Sequence, residues 1–175
     1  IKEVNVFCSE RFLNYVKGKV ASDRRGEVVF CVIRPNGKII TITCDEYPEG
    51  VYRIPTGGIG HEEDIIEAVF RETREELGLD TEILAFAGVL KIKFQYEGQF
   101  EMFYSYLFIL KEVAGRLLLD STDDEISGVR EVEPEELEGM AEFLKNLGGE
   151  WHDWGIFRNV TTGAIAHYLK NSSRR

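Results

Sequence analysis

Apolar residues in this chain gather into short runs divided by turn-forming residues, and the spacing inside each run predicts the elements. Residues 27–34 (EVVFCVIR) form a β-rich run, Pro35-Asn36-Gly37 a turn, and residues 38–44 a second run. Runs flanking Asn-Gly predict a hairpin, because a tight reversal needs positive φ. Residues 51–54 predict another short strand, stopped by Pro55 and Gly57-Gly58. Over 62–77 the period becomes helical, with Ile66, Val69, Phe70, Thr73 and Leu77 on one face. Glu62, Glu63 and Asp64 fall in its first turn, Glu67 and Arg71 form an i,i+4 pair, and Gly78 with Leu79 suits a left-handed C-terminal cap. Two long β runs, 82–96 and 100–111, join across Glu97-Gly98-Gln99. A strand at 126–132, a helix at 134–147 opened by Pro134 and a last helix at 156–169 complete the chain. Strands in the middle with helices inserted and at the end predict an α/β fold, a mixed sheet with helices packed on its faces.

No repeat or linker interrupts the pattern, so residues 1–175 read as one domain, with residues 1–25 expected as an N-terminal strand region ahead of the hairpin and residues 150–170 as a C-terminal helix. No run approaches the roughly 18 apolar residues of a membrane helix. The formal charge is −10, from 31 acidic and 21 basic residues. That balance gives nucleic acid and anionic membranes nothing to bind, and an acidic ligand would need cations or a local basic cluster beside it. Cys8, Cys31 and Cys44 lack any C-x-x-C pairing and His61, His152 and His167 are scattered, so the sequence gives a zinc site little support. Cys31 and Cys44 read as small core residues. Sparse cysteines and the lack of a signal-peptide pattern lead to the expectation of a reducing, cytoplasmic setting.

One cluster resists a purely structural reading. Glu72, Glu75 and Glu76 share an arc about 100° wide near the end of the predicted helix, with Ala68 above them. Like charges at i,i+3 and i,i+4 cost about 0.2–0.5 kcal/mol each, and a helix C-terminus disfavours negative charge. A solvated acidic face would explain them at that cost. A hard divalent cation, Mg²⁺ or Mn²⁺, would reverse its sign.

Residues 57–79 (GGIGHEEDIIEAVFRETREELGL) resemble the Nudix box, G-x(5)-E-x(7)-R-E-U-x-E-E-x-G-U with U apolar. Gly57, Glu63, Arg71, Glu72, Glu75, Glu76 and Gly78 match its fixed positions, and Thr73 departs at an apolar one. Upstream, Tyr52-Arg53-Ile54-Pro55-Thr56-Gly57 is similar to the family's strand and proline-glycine turn. Thr56 stands where Gly or Ala is usual, and Gly60 and Glu62 where many members carry Glu and Gly.

The resemblance implies a Nudix α/β/α sandwich and hydrolysis of a pyrophosphate bond in a nucleoside diphosphate linked to another moiety, whether nucleotide-sugar, dinucleoside polyphosphate or nucleoside triphosphate. It implies Mg²⁺, with Mn²⁺ as substitute, on Glu72, Glu75, Glu76 and the carbonyl of Thr56. It also implies an internal Glu63–Arg71 pair and a proton acceptor that is Glu72 or, in the loop Asp123-Asp124-Glu125, Glu125. Arg53 and Tyr96 are candidate substrate contacts, against the plainer readings of a surface arginine and a packed strand aromatic. Trp151 and Trp154 are expected as core anchors, with base stacking as the alternative, and His61 as exposed. Residues 10–20 resemble an extra strand region through which some members pair, implying by analogy a homodimer. The rivals are a non-catalytic nucleotide sensor on the same fold and an isoprenoid-diphosphate isomerase, which would need a catalytic cysteine and glutamate facing the pocket; Cys44, beside Asp45-Glu46, lacks the expected flanking residues.

Overall fold

A computed structural model describes residues 1–22 and 26–174. In chain order the elements are β1 (Lys2–Phe7), α1 (Glu10–Ser22), β2 (Gly26–Ile33), β3 (Ile39–Cys44), β4 (Thr56–Ile59), α2 (Ile65–Glu72), β5 (Leu79–Tyr96), β6 (Gln99–Gly115), β7 (Ile126–Val132), α3 (Leu137–Lys145) and α4 (His152–Ser172). A single π-helical turn, Thr73–Leu77, prolongs α2. The strands form one mixed sheet in the order β1-β5-β6-β2-β3-β7, with β4 paired to β2.

Both faces of the sheet are covered, which is why β2 is apolar without interruption over residues 28–33. Val29 and Cys31 point into a core shared with α1, α3 and α4 (Leu13, Val16, Leu137, Phe157, Ile165). Val28, Phe30 and Val32 point into a second core with Ala68, Val69 and Leu77. The result is the expected three-layer α/β/α arrangement.

Several local expectations change. The hairpin at Asn36-Gly37 forms, with Gly37 at φ +83 and Gly37 N donating to Arg34 O at 2.8 Å. Its strands pair only at Ile33–Ile39, because β4 and β6 take the two edges of β2. Residues 51–54 are no strand; they contribute one bridge, Ile42–Arg53, and the strand falls instead at β4, beyond Pro55. The run at 10–20 is helix, held by Leu13 and Val16 at i,i+3, and the N-terminal strand is β1, parallel to β5. Residues 23–25 of the expected N-terminal strand region lie outside the described residues. The last helix begins at His152 rather than 156.

The helix of the box starts later than expected, and its buried face is rotated by one residue from the expected one. Asp64 is the N-cap, its Oδ1 accepting from Ile66 N (2.8 Å) and Glu67 N (3.2 Å). The inward positions become Ile65, Ala68, Val69, Glu72 and Thr73, an i, i+3, i+4, i+7, i+8 series, while Ile66 is 44% exposed. Ala68 therefore fills the core and does not sit above the carboxylates. Thr73 is tolerated inside because its Oγ1 donates to Val69 O. Glu72 is carried inward by the same rotation, to 8% exposure.

Candidate active site

Arg71 organises the box. Its Nε donates to Glu63 Oε1 (2.5 Å) and its Nη2 to Glu63 Oε2 (2.9 Å) and Gly58 O (3.0 Å). Its Nη1 reaches Glu72 Oε1 (2.7 Å) and Glu75 Oε2 (2.9 Å). The i,i+4 pairing with Glu67 gives way to this fork, because Glu63 offers both carboxylate oxygens to the guanidinium side-on. Glu63 Oε2 also accepts from Gly60 N at 3.0 Å, so one arginine ties the loop before α2 to the carboxylates at its end. The hydrogen bond to Glu63 is the main cause that raises the pKa of Arg71, against the opposing effect of burial.

Gly57 is required by contact rather than by φ. A Cβ there would lie 2.3 Å from Glu72 Cδ and Cγ, so β4 and the helix end approach as closely as the backbone permits. At the other side, Gly78 turns the chain at φ +72. The carbonyls that a helix end leaves unpaired are taken by the loop before β7: Thr122 N (3.0 Å) and Asp123 N (2.9 Å) donate to Glu75 O, and Leu118 N (2.8 Å) to Leu77 O. This docking brings Glu125 beside the helix end.

These elements border a cleft of about 480 Å³ lined by Arg53, Thr56, Gly57, Glu76 and Glu125 from the expected set. Glu72 lies behind Gly57 and Glu75 on the Arg71 side, so the carboxylate arc is split between the cleft and the guanidinium. Glu76 is the carboxylate that faces the cleft, its pKa pushed up to about 8 by burial first and then by the charge of Glu72, with Arg53 opposing. Arg53 is anchored by Nε to Tyr47 Oη (2.9 Å) and Nη1 to Thr56 Oγ1 (3.0 Å) and Ile54 O (3.1 Å). Tyr96 is half-buried at the far end of β5, packed on the first core and outside the cleft lining, and His61 is exposed. A larger groove of about 890 Å³ lies between β1, β5 and α4 and contains none of the box residues.

Among the described residues no three acidic, histidine or cysteine side chains converge as a ready-made metal site. The donor set nonetheless fits a hard divalent cation. Glu72 and Glu76 are withdrawn from water and repel each other, and Gly57 leaves room for nothing but carboxylate.

Sequence reasoning expected Trp151 and Trp154 as core anchors, with stacking as the alternative, and did not single out Phe12, Tyr47 and Arg158, which form one wall of the cleft with them. Trp151 and Trp154 are half-buried and belong to neither core cluster; they meet Tyr47 with ring centroids 5.7 and 4.7 Å away, and all three line the cleft with Phe12 and Arg158. The available signal was the i, i+3, i+7 spacing of Trp151, Trp154 and Arg158, which puts them on one helical face. Cys31 is fully buried as expected, whereas Cys44 is half-buried and borders the cleft.

The model of the NUDIX domain family matches residues 23–154, well over half of the chain. The chain belongs to the NUDIX domain family. Its enzyme class is accordingly that of the Nudix pyrophosphohydrolases. Solved structures similar to this Nudix chain include a MutT protein from Methanosarcina mazei Go1, at 16% identity over 98% of each chain and TM-score 0.56. The dihydroneopterin triphosphate pyrophosphohydrolase of E. coli is 13% identical over 85% of this chain and 97% of its own, with TM-score 0.54. An ADP-ribose pyrophosphatase from Streptococcus suis is 13% identical over 82% of this chain and 90% of its own, with TM-score 0.51. At such identities the likeness is one of fold. No curated protein sequence matches significantly. No helix among the described residues is long and apolar enough to cross a membrane.

Proposed function

We propose that this Nudix chain hydrolyses the pyrophosphate bond of a nucleoside diphosphate linked to a second moiety, with water as nucleophile and Mg²⁺ or Mn²⁺ as cofactor. The observation that carries this reading is the meeting of Glu76, Glu125 and Arg53 in one cleft, with Glu72 buried directly behind. Glu72, Glu75, Glu76 and the Thr56 carbonyl would hold the cation. When bound, it neutralises diphosphate oxygens and lowers the pKa of water.

The protein's own groups have separable tasks. Arg53 offers a fixed guanidinium to a phosphate oxygen in an otherwise acidic chain. Arg71 holds Glu72 and Glu75 in position through Glu63 and touches no substrate. Glu125 is the favoured proton acceptor, because it lines the cleft whereas Glu72 Oε1 already accepts from Arg71 at 2.7 Å. The dinucleoside polyphosphate option loses the support that Tyr96 would have lent, since that residue lies outside the cleft. Two copies pairing through the outer edge of β1, and a reducing cytoplasmic setting for three free thiols, complete the reading.

The test is a hydrolysis panel of ADP-ribose, NADH, dinucleoside polyphosphates, nucleoside triphosphates and sugar nucleotides with Mg²⁺ or Mn²⁺, repeated after chelation. Turnover that vanishes on chelation and returns with either ion is the expected result. Glu125→Gln should lower kcat by about 10²–10⁴-fold with cation uptake intact. No turnover across the panel would favour a nucleotide sensor instead.

A further inference from the structure

Two features of the cleft have no task in the proposed reaction: the hydroxyl of Thr56, which serves there only through its carbonyl, and the ring of Tyr47 with the two tryptophans against it. Both converge on Arg53. Its backbone is pinned to β3, with Arg53 N donating to Ile42 O at 3.1 Å and Arg53 O accepting from Ile42 N at 2.9 Å. Its side chain is pinned as well: Nε donates to Tyr47 Oη, and Nη1 divides its two protons between Ile54 O and Thr56 Oγ1. Three of the five N–H donors of the guanidinium are thereby taken within residues 47–56. Nη2 makes no hydrogen bond among the described residues and, unlike Arg158 Nε, is not sealed from solvent. It is the nitrogen left to a ligand in the cleft that Arg53 lines. Tyr47 sits in the turn after β3, its N donating to Cys44 O at 3.0 Å, and its ring is braced by Trp154 and Trp151, inclined to it at 54° and 73°. Tilted and edge-on contacts of this kind hold a ring in place. An unrestrained arginine gives up its rotamer freedom when it grips a ligand, whereas one already held at three donors has given it up on folding.

We propose that Tyr47 and Thr56 are positioning residues for substrate binding: their side-chain oxygens, the first braced by Trp151 and Trp154, hold the Arg53 guanidinium so that Nη2 meets an oxygen of the diphosphate. The inference rests on the reading of Arg53 as a substrate contact and adds what makes that contact effective. It also gives the side chain at position 56 a purpose, since Gly or Ala there would leave Nη1 one acceptor short. Because Tyr47 and Thr56 act only through Arg53, their removal has nothing further to take away once Arg53 is gone, and the three residues should be strongly non-additive.

Calorimetric titration of the full chain with imidodiphosphate, in which an N–H replaces the bridging oxygen, measures the contact in Mg²⁺ without reading hydrolysis. Arg53→Gln should weaken binding by about tenfold or more, the scale of a charge-assisted hydrogen bond. Tyr47→Phe keeps the ring and removes only the oxygen, and should weaken binding by about three- to tenfold, with Mg²⁺ uptake in the absence of imidodiphosphate unchanged. Thr56→Val should do the same, and Thr56→Ser, which restores the hydroxyl, should regain the parent affinity. In the Arg53→Gln background, Tyr47→Phe and Thr56→Val should each change the affinity by less than about twofold. If Tyr47→Phe does not fold, the comparison of Thr56→Val with Thr56→Ser decides. Parent affinity in Tyr47→Phe or Thr56→Val, or losses that persist undiminished without Arg53, would overturn the proposal. A loss in Arg53→Gln that neither neighbour shares sinks the positioning role alone. Parent affinity in Arg53→Gln, or no uptake of imidodiphosphate by the parent, sinks the reading of Arg53 as a substrate contact and the positioning role with it.

Discussion

Arg158→Met tests whether the floor of the cleft is held by a true buried charge pair. Glu27 is 3% exposed and would lose both bonds to Nη1, keeping among the described residues the hydroxyl of Ser105, which donates to its Oε1 at 2.8 Å. Breaking a buried pair from one side costs about 3–5 kcal/mol, because the remaining charge stays buried. The surviving Ser105 bond argues for the lower end, about 3 kcal/mol. For a chain of this length that is a fall in Tm of roughly 6–12 °C. The double variant Glu27→Gln/Arg158→Met removes both charges and leaves Ser105 an acceptor, so most of the loss should be recovered. Thermal unfolding followed by circular dichroism, with chelator present, measures all three proteins. A single variant within about 1 kcal/mol of the parent, or a double variant less stable than the single, would refute the reasoning.

Other expectations follow from the same geometry. Glu76→Gln should leave the metal-free Tm unchanged or raised, since it removes a buried charge beside Glu72, while abolishing Mg²⁺ uptake in calorimetry; a large fall in Tm would make Glu76 a structural residue. Gly57→Ala forces a methyl into the space of the Glu72 carboxylate, so turnover should drop by at least about tenfold with a folded far-UV spectrum, the usual consequence of misplacing a group by an ångström. Burial pushes the Cys31 thiol up to about 12, so it stays protonated in the native protein. Iodoacetamide at mildly alkaline pH should therefore label it only after unfolding, as read by peptide mass mapping. Ionisation of Cys31 in the unfolded chain also means that its contribution to stability is present below about pH 9 and is lost as pH rises towards 12.

Long-period information carried well from sequence to structure. The continuous apolar run of β2, the Asn-Gly reversal, the two long strands meeting at Glu97-Gly98 and the helix of the box depend on local preferences that the fold does not override. What failed depended on partners distant in the chain. Residues 51–54 have strand-like composition, but Pro55 and the claim of β4 on the edge of β2 leave them a single bridge. The box helix starts at Ile65 behind the Asp64 cap rather than at 62, and its buried face lies one position from the expected one, with Glu72 inside and Ile66 outside, because the sheet and β4 decide which arc is covered. The arc of three glutamates was read as one unit, but a fork between Glu72 and Glu75 was already filled by Arg71, whose natural i,i+4 partner looked to be Glu67. The aromatic wall of the cleft was only half legible for another reason. Tyr47, Trp151, Trp154 and Arg158 come from segments a hundred residues apart, and nothing in either segment announces the other.

The groove between β1, β5 and α4 has Ile1 and Lys2 on one lip and Asn171 and Ser172 on the other. The two ends of the described chain therefore meet on one side of the molecule, and none of the residues there borders the cleft of the candidate site. A short flexible tether could join them, and the chain could be reopened at the tip of the β5–β6 reversal, at Glu97-Gly98, where exposed turn residues tolerate a break. A circularly permuted protein of that kind should retain its cleft, and reporter domains fused at either end should leave the cleft mouth clear.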